Sequence, residues 1–333
     1  MKKLKVVQIG IGHDHGPLIL QTLLRHTERF EVAGLVLPEN EAEDFRETLK
    51  QFEDVPKLSL EEAFALPGLD AVTVETEEKN LNKYALKALE AGYPVHMDKP
   101  GGMDLAEFEK TVKTAEKKKL EFHLGYMYRY NPAVIDAINK VKSGEIGEVY
   151  SVEAHMDCHH IREKREWLSA FPGGMMFYLG CHLVDLIMLI QGVPEEVIPV
   201  NCASASDTSA EDLGFAVFKY KKGLSFAKTC ANEAGGFMRR QLVICGTKGT
   251  IEIRPLEGFD SSVPDGVYSR VRYVSPEDAH DWGKDIPFEK SPVLGRYDAM
   301  MLDFADIAEG KKGVSDYAYE LELYKTLLKA CGR

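Results

Sequence analysis

Asp98 and Lys99 are the residues best placed to do chemistry. They stand in Pro94-Val95-His96-Met97-Asp98-Lys99-Pro100-Gly101-Gly102, between two helical runs, Leu81 to Ala91 and Leu105 to Lys118. The stretch reads as a short buried strand whose C-terminal end carries an acid, a lysine and a proline. In an open parallel α/β sheet, ligands bind outside the carboxyl ends of the strands. A proline after the lysine fixes φ and removes an amide donor, so the lysine either reaches into a crevice or caps a strand end at the surface. A second chemical element is the turn Gly10-Ile11-Gly12-His13-Asp14-His15-Gly16, which follows the strand Lys5 to Ile9 and opens a helix running to Arg25. Strand, glycine turn and helix form the setting of a dinucleotide fingerprint. Gly10 permits the turn, and Gly12 lets the backbone approach a pyrophosphate that the helix N-terminus stabilises. His15 stands where the third glycine is expected, and Gly16 comes one residue late.

The elements around these residues alternate strand and helix. Phe30 to Val36 is a second strand. The acid expected at its end, about 20 residues past the glycines, would bind the adenosine ribose; that position holds Leu37, with Glu39 two residues on. Ala42 to Phe52 reads as helix. An edge strand at Pro56 to Leu60 leads into a helix capped by Ser59. Asp70 to Val74 is a strand ending in Glu75-Thr76-Glu77-Glu78. That carboxylate cluster is either a solvated loop or the wall of an altered cofactor pocket containing Thr76 and Glu77. Gly92 ends the helix Leu81 to Ala91, and Glu121 to Tyr126 is a further strand. The β-α repetition implies a doubly wound parallel sheet, with the first domain spanning 1–125 and a second spanning 126–333.

Composition narrows the classes. Among 333 residues, 41 basic and 53 acidic side chains give a net charge of −12. Such a chain lacks the overall basic character that nucleic acid or anionic membrane would favour. The six cysteines fall in the second half with no CxxC pair; they read as reduced and buried. No signal peptide or run of about 18 apolar residues is present, so a cytoplasmic protein is expected. One further cluster, His155, Asp157, Cys158, His159 and His160, crowds a strand end. Alternation would put His155, Asp157 and His159 on one face. Zinc takes such ligands, but the spacing is not diagnostic. A polar substrate pocket without metal is the expectation, with Arg129, Arg165 and Trp167 as further lining candidates.

Taken together, the motifs resemble the Gfo/Idh/MocA family of NAD(P)-dependent oxidoreductases. The resemblance rests on Gly10-Ile11-Gly12-His13, Asp98-Lys99-Pro100, Gly125-Tyr126-Met127-Tyr128-Arg129-Tyr130-Asn131-Pro132, Ser143-Gly144-Glu145-Ile146-Gly147-Glu148-Val149, Gly180-Cys181-His182-Leu183-Val184-Asp185 and Gly246-Thr247-Lys248-Gly249-Thr250-Ile251. It implies a C-terminal α/β domain with a large, mostly antiparallel open sheet, through which a homodimer or homotetramer would form. It also implies NAD or NADP as cofactor, contacted by Gly10, Ile11, Gly12, His13, His15, Leu37, Thr76, Glu77, Asp98 and Lys99. The function implied is hydride transfer between that cofactor and a hydroxyl carbon of a sugar, polyol or related small molecule.

Lys99 would lie beside nicotinamide and substrate, and His182 matches the family's catalytic histidine, whose ordinary pKa of about 6.5 suits a general base. The family carries an Asp four residues before that histidine; here it is Tyr178, assigned to positioning substrate. Asp185, on the same helical face, could partly substitute. Tyr126, Arg129, His155, His159, Arg165, Trp167, Tyr178 and His182 form the expected substrate set. The departures at His15, Leu37, Glu77 and Tyr178 keep a second expectation open, a non-catalytic nucleotide- or ligand-binding regulatory protein of the same fold.

Overall fold

A computed structural model of the chain describes residues 3–280 and 284–333. The chain forms two compact units. The first comprises Met1–Tyr126 and Tyr297–Leu321; the second comprises Met127–Arg296 and Glu322–Arg333.

The first unit is built on six strands: β1 (Leu4–Ile9), β2 (Phe30–Val36), β3 (Lys57–Leu58), β4 (Ala71–Val74), β5 (Val95–Met97) and β6 (Phe122–Leu124). All pair in parallel, in the order β3-β2-β1-β4-β5-β6. This is the doubly wound order, and its direction reverses between β1 and β4, which places a crevice outside their carboxyl ends. Val6, Val7, Ile9, Ala71, Val72, Val74, Val95 and Met97 are fully buried, as expected of strands covered on both faces. Local chemistry sets the helix ends. Ser59 and Glu62 form a capping box at Leu60–Phe64, Asp104 caps Leu105–Lys118, and Gly92 takes the left-handed conformation, φ +98°, after Leu81–Ala91. The expected helix over 42–52 is two short helices, Glu41–Asp44 and Arg46–Leu49, and a single 3-10 turn.

The returning segment is held to this sheet by charge and packing. Arg25 bonds Asp298 at 2.5 Å and Arg29 bonds Asp306 at 2.8 Å. Phe304, on the helix Asp298–Ala308, lies against the rings of His96 and His123, and Glu121 accepts from the Ser315 amide at 2.8 Å.

The second unit carries strands β7 (Val149–His155), β8 (Glu196–Pro199), β9 (Leu213–Lys219), β10 (Leu224–Cys230), β11 (Gln241–Gly246), β12 (Gly249–Ile253), β13 (Gly258–Phe259), β14 (Gly266–Tyr268), β15 (Arg270–Val274), β16 (Glu289–Lys290) and β17 (Leu294–Gly295). Eight form a sheet in the order β16-β15-β12-β11-β7-β10-β9-β8; β13, β14 and β17 form a small separate one. Pairing in the large sheet is antiparallel except between β7 and β10. One face, with Val152, Ala154, Ala216, Phe218, Leu242 and Ile244, is fully buried. The helix Cys181–Gln191, nearly apolar all round, packs against β7 and β10. The other face leaves Phe215, Val217, Phe226 and Val243 half-buried. Among the described residues no helix is long and apolar enough to cross a membrane. All six cysteines are free.

Because Phe304 is fully buried against β5 and β6 residues, Phe304→Ala is expected to lower stability by about 3–5 kcal/mol in urea unfolding. Unchanged stability would contradict the docking of the returning segment.

Candidate functional site

The glycine turn is shaped by close approaches. Gly10 has φ +87°, and a Cβ there would fall 2.4 Å from the Thr76 Cα. A Cβ on Gly12 would fall 2.7 Å from Oε1 of Glu41. Gly16, displaced by one from the expected third glycine, still does that glycine's work: a Cβ there would meet the Glu75 carbonyl and the Ile11 Cα at 3.1 Å. The amides of the turn meet a carboxylate. Ile11 N–H donates to Glu41 Oε2 at 2.7 Å; the Thr76 hydroxyl at 2.5 Å and the Glu77 N–H at 3.3 Å donate to Oε1. Burial raises the Glu41 carboxyl above its ordinary value against those bonds.

Glu41 brings a carboxylate beside the glycine turn that sequence reasoning did not single out. Leu37, at the aligned position, packs against the cluster of Ile11, Leu20 and Leu35 and offers no polar group. Glu39 turns away with φ +53° and bonds Lys83 at 2.5 Å and Tyr84 at 3.2 Å. The signal was the Pro38-Glu39-Asn40-Glu41 turn, whose return places an acid four residues late beside the glycines.

Asp98 organises the end of β5. Its Oδ1 accepts from the Lys99 amide at 2.7 Å, Nδ1 of His15 lies 3.1 Å from its Oδ2, and Nδ1 of His13 lies 3.3 Å from the same oxygen. Nε2 of His13 donates to the Lys99 carbonyl at 3.1 Å, tying the glycine turn to the lysine. Glu78 approaches His13 at 3.7 Å. Burial pushes against ionisation of Asp98, but the His13 and His15 rings and the Lys99 ammonium outweigh it and hold the carboxyl well below its ordinary range. Burial and the neighbouring Asp98 charge raise Glu75 well above its own. The two carboxyls of this pair are thus pushed in opposite directions, Glu75 up and Asp98 down. Burial lowers His13 to about 3 and His96 to about 4, so both rings are neutral at pH 7. Lys99 is 2% exposed. Tyr126, at the end of this unit, is buried.

The second unit holds His182 on the helix Cys181–Gln191, buried, with the Tyr128 ring edge-on at 5.0 Å. Tyr128 is fixed by residues that sequence reasoning did not single out. Its hydroxyl donates to Glu257 at 2.9 Å; Arg240 donates to Glu257 at 3.2 Å and Arg296 at 2.6 Å. The Tyr128–Glu257 bond spans 129 residues of sequence, so no local pattern announces it.

Tyr178 is buried among Trp167 at 5.2 Å and Phe171 at 5.9 Å, with the Lys164 ammonium 5.1 Å from its ring. Arg129 donates a fork to Asp185 at 2.8 and 2.9 Å. Asp185 is thus engaged by Arg129. Arg165 likewise holds Asp207 and Asp212. Past the end of β7 the amides of Met156, Cys158 and His160 still donate to the Lys228, Cys230 and Ala231 carbonyls, and His155 and Asp157 both neighbour Lys228. His155 packs on Phe226, Asp157 is buried against Lys228 at 3.1 Å, and His159 is exposed, bridging Asn232.

Residues 4–126 match the family model "Oxidoreductase family, NAD-binding Rossmann fold", and residues 135–252 match "GFO/IDH/MocA C-terminal domain". The chain belongs to the Gfo/Idh/MocA family of oxidoreductases. It is 25% identical over 238 residues to trans-1,2-dihydrobenzene-1,2-diol dehydrogenase of Bos taurus, covering 70% of this chain and 69% of that one. It is 31% identical over 197 residues to the uncharacterized oxidoreductase YhhX of Escherichia coli, covering 57% of this chain and 54% of that one. Among solved structures, a 3-ketoreductase from Actinomadura kijaniata in complex with NADP and TDP-benzene superposes with TM-score 0.79 at 16% identity, covering 99% and 97% of the two chains. UDP-N-acetylglucosamine 3-dehydrogenase from Acidithiobacillus ferrooxidans gives 0.72 at 18% identity, with the same coverage. The doubly wound first unit and the open sheet of the second are the fold of this Gfo/Idh/MocA chain, and its first unit is the family's NAD(P)-binding domain.

The Arg129–Asp185 pair gives a direct test of its structural role. Asp185→Asn or Arg129→Met alone is expected to cost about 3–5 kcal/mol, because each strands a largely buried charge. Arg129→Met with Asp185→Leu should cost much less than the sum, read from denaturant unfolding of all three variants. Additive losses would contradict the pairing.

Proposed function

We propose that this chain transfers a hydride between a nicotinamide dinucleotide and a hydroxyl-bearing carbon of a sugar, polyol or related small molecule. The observation that carries the reading is the buried Lys99, joined through His13 to a glycine turn in an NAD-binding unit. The dehydrogenase of a dihydrodiol among the relatives supports a CH–OH substrate. The chain's residues suit the group. Gly10, Gly12 and Gly16 keep the turn open at the switch point, and Glu41 presents a carboxylate beside it. A carboxylate there suits ribose hydroxyls and repels a 2′-phosphate, so we infer a preference for NAD over NADP.

The bound nicotinamide supplies the hydride acceptor. Lys99 would hold the substrate oxygen and stabilise developing negative charge; His182, in the second unit, would take the hydroxyl proton. Tyr178 would supply an aromatic wall for the substrate. We further propose a homodimer or homotetramer that covers Phe215, Val217, Phe226 and Val243, and a cytoplasmic location consistent with free cysteines.

Fluorescence titration with NADH and NADPH, followed by a polyol and sugar panel, tests the reading. NADH should bind more tightly, and Glu41→Gln should narrow the gap by about tenfold, a loss of about 1.4 kcal/mol of discrimination. Lys99→Met should lower kcat by about 10²–10⁴-fold while cofactor still binds. Tight cofactor binding without turnover on any substrate would favour a ligand-binding protein instead, the reading that the aromatic packing of Tyr178 in place of a carboxylate supports.

A further inference from the structure

We propose that Glu257 is a positioning residue that sets the orientation of His182 through Tyr128. The inference rests on the proposed role of His182 as proton acceptor, and every residue it uses lies in the second unit. A general base works only when its lone pair is aimed at the proton it takes. The Tyr128 ring meets the His182 imidazole edge-on, at 5.0 Å and 83°. Such a contact is weak by itself, so it orients the imidazole only if Tyr128 is itself held.

Tyr128 is held at its far end. The side chain is buried, and its hydroxyl has two partners. Arg240 approaches it at 3.1 Å and can only donate, so the hydroxyl proton goes to Glu257 at 2.9 Å. Arg296 donates a fork to the same carboxylate at 2.6 and 2.8 Å, and Arg240 adds a third bond at 3.2 Å. Burial opposes ionisation of Glu257, but the two guanidiniums outweigh it and hold the carboxyl below its ordinary value. Those guanidiniums are braced in turn. Arg240 lies 4.2 Å from the Phe237 ring, Phe237 stacks on Phe259 at 4.9 Å, and Arg296 lies 6.0 Å from Phe259. Carboxylate, guanidiniums and rings close a circle of contacts, and the Tyr128 hydroxyl is tied to it.

The backbone around Tyr128 is fastened on both sides. Tyr128 sits on the 3-10 turn Met127–Tyr130. On the Glu257 side, Asn131 donates to the Leu256 carbonyl at 3.2 Å. On the other side, Arg129 forks onto Asp185, three residues after His182 on the helix Cys181–Gln191. The turn therefore carries the position of Glu257 to the helix that bears His182. Stability alone gives no reason for this acid, since buried ions are often no more stabilising than apolar packing of the same volume. What the acid adds is a fixed direction for one hydroxyl.

The test uses the full chain with isotope-labelled histidine, read by NMR without substrate, so this arm stands apart from turnover. Tyr128→Phe keeps the ring and leaves Glu257 with both arginines; Glu257→Gln removes the charge. The His182 imidazole peak, assigned by its loss in His182→Asn, should move in both variants, while those of His26 in the first unit and the exposed His280 stay in place. On a substrate that turns over, each variant should lower kcat by about 10–100-fold with KM and NADH affinity within about twofold. The double variant should lose no more than the worse single one, as residues acting through one another do. An unmoved His182 peak in Tyr128→Phe would overturn the proposal, whatever happens to Tm. Losses in kcat that multiply in the double variant would overturn it too. If no substrate turns over, hydride transfer fails as a reading, and the imidazole peaks still decide the positioning.

Discussion

The buried carboxylate of Asp98 is the constraint on which the first unit's crevice depends. An ionised carboxyl with no solvent exposure survives only where donors and positive charge converge on it. Here they come from the Lys99 amide, the His15 ring and the Lys99 ammonium. Meeting that requirement dictates much else. Gly125 must lack a side chain, because a Cβ there would lie 2.8 Å from Oδ1 of Asp98. Glu75 is held well above its ordinary value by burial and by the Asp98 charge, with Lys99 pulling the other way. The glycine turn must return across the ends of β4 and β5, bringing His13 and His15 with it. The lysine is thereby presented by backbone contacts as well as by its own side chain.

The same logic governs the nucleotide end. A glycine turn at a strand end exposes amide donors, and such donors attract anions. In this chain Glu41 meets them from within, accepting from Ile11, Thr76 and Glu77. The carboxylate is thus held in place by the turn itself. The proposed preference for NAD rests on the four-residue turn after β2 that brings Glu41 to the glycines, with Leu37 left to pack in the core.

Much of the architecture was legible because its signals are local. β-Branched runs marked β1, β2 and β4. Gly92 and Ser59 marked helix ends by the chemistry of capping. Asp98 and Lys99 stood out because a strand end in a parallel sheet is where ligands bind. What the sequence concealed is partner choice over distance. Asp185 reads as a possible aid to His182 by helical spacing, yet a fork from Arg129, 56 residues away, claims it. Tyr297–Leu321 lies within the second half of the chain but completes the first unit, through Arg25, Arg29 and Phe304. Along His155, Asp157 and His159 burial was not legible: Asp157 is fully buried against Lys228 while His159 is exposed.

Isotope transfer tests the central claim most directly. The chain is incubated with oxidised cofactor and polyols and sugars deuterated at their carbinol carbons, and the cofactor is recovered for mass spectrometry. Hydride transfer predicts deuterium on the nicotinamide with the parent chain and far less with Lys99→Met. Saturating cofactor binding with no label acquired from any alcohol, and none passed from deuterated reduced cofactor to the corresponding ketones, would contradict it.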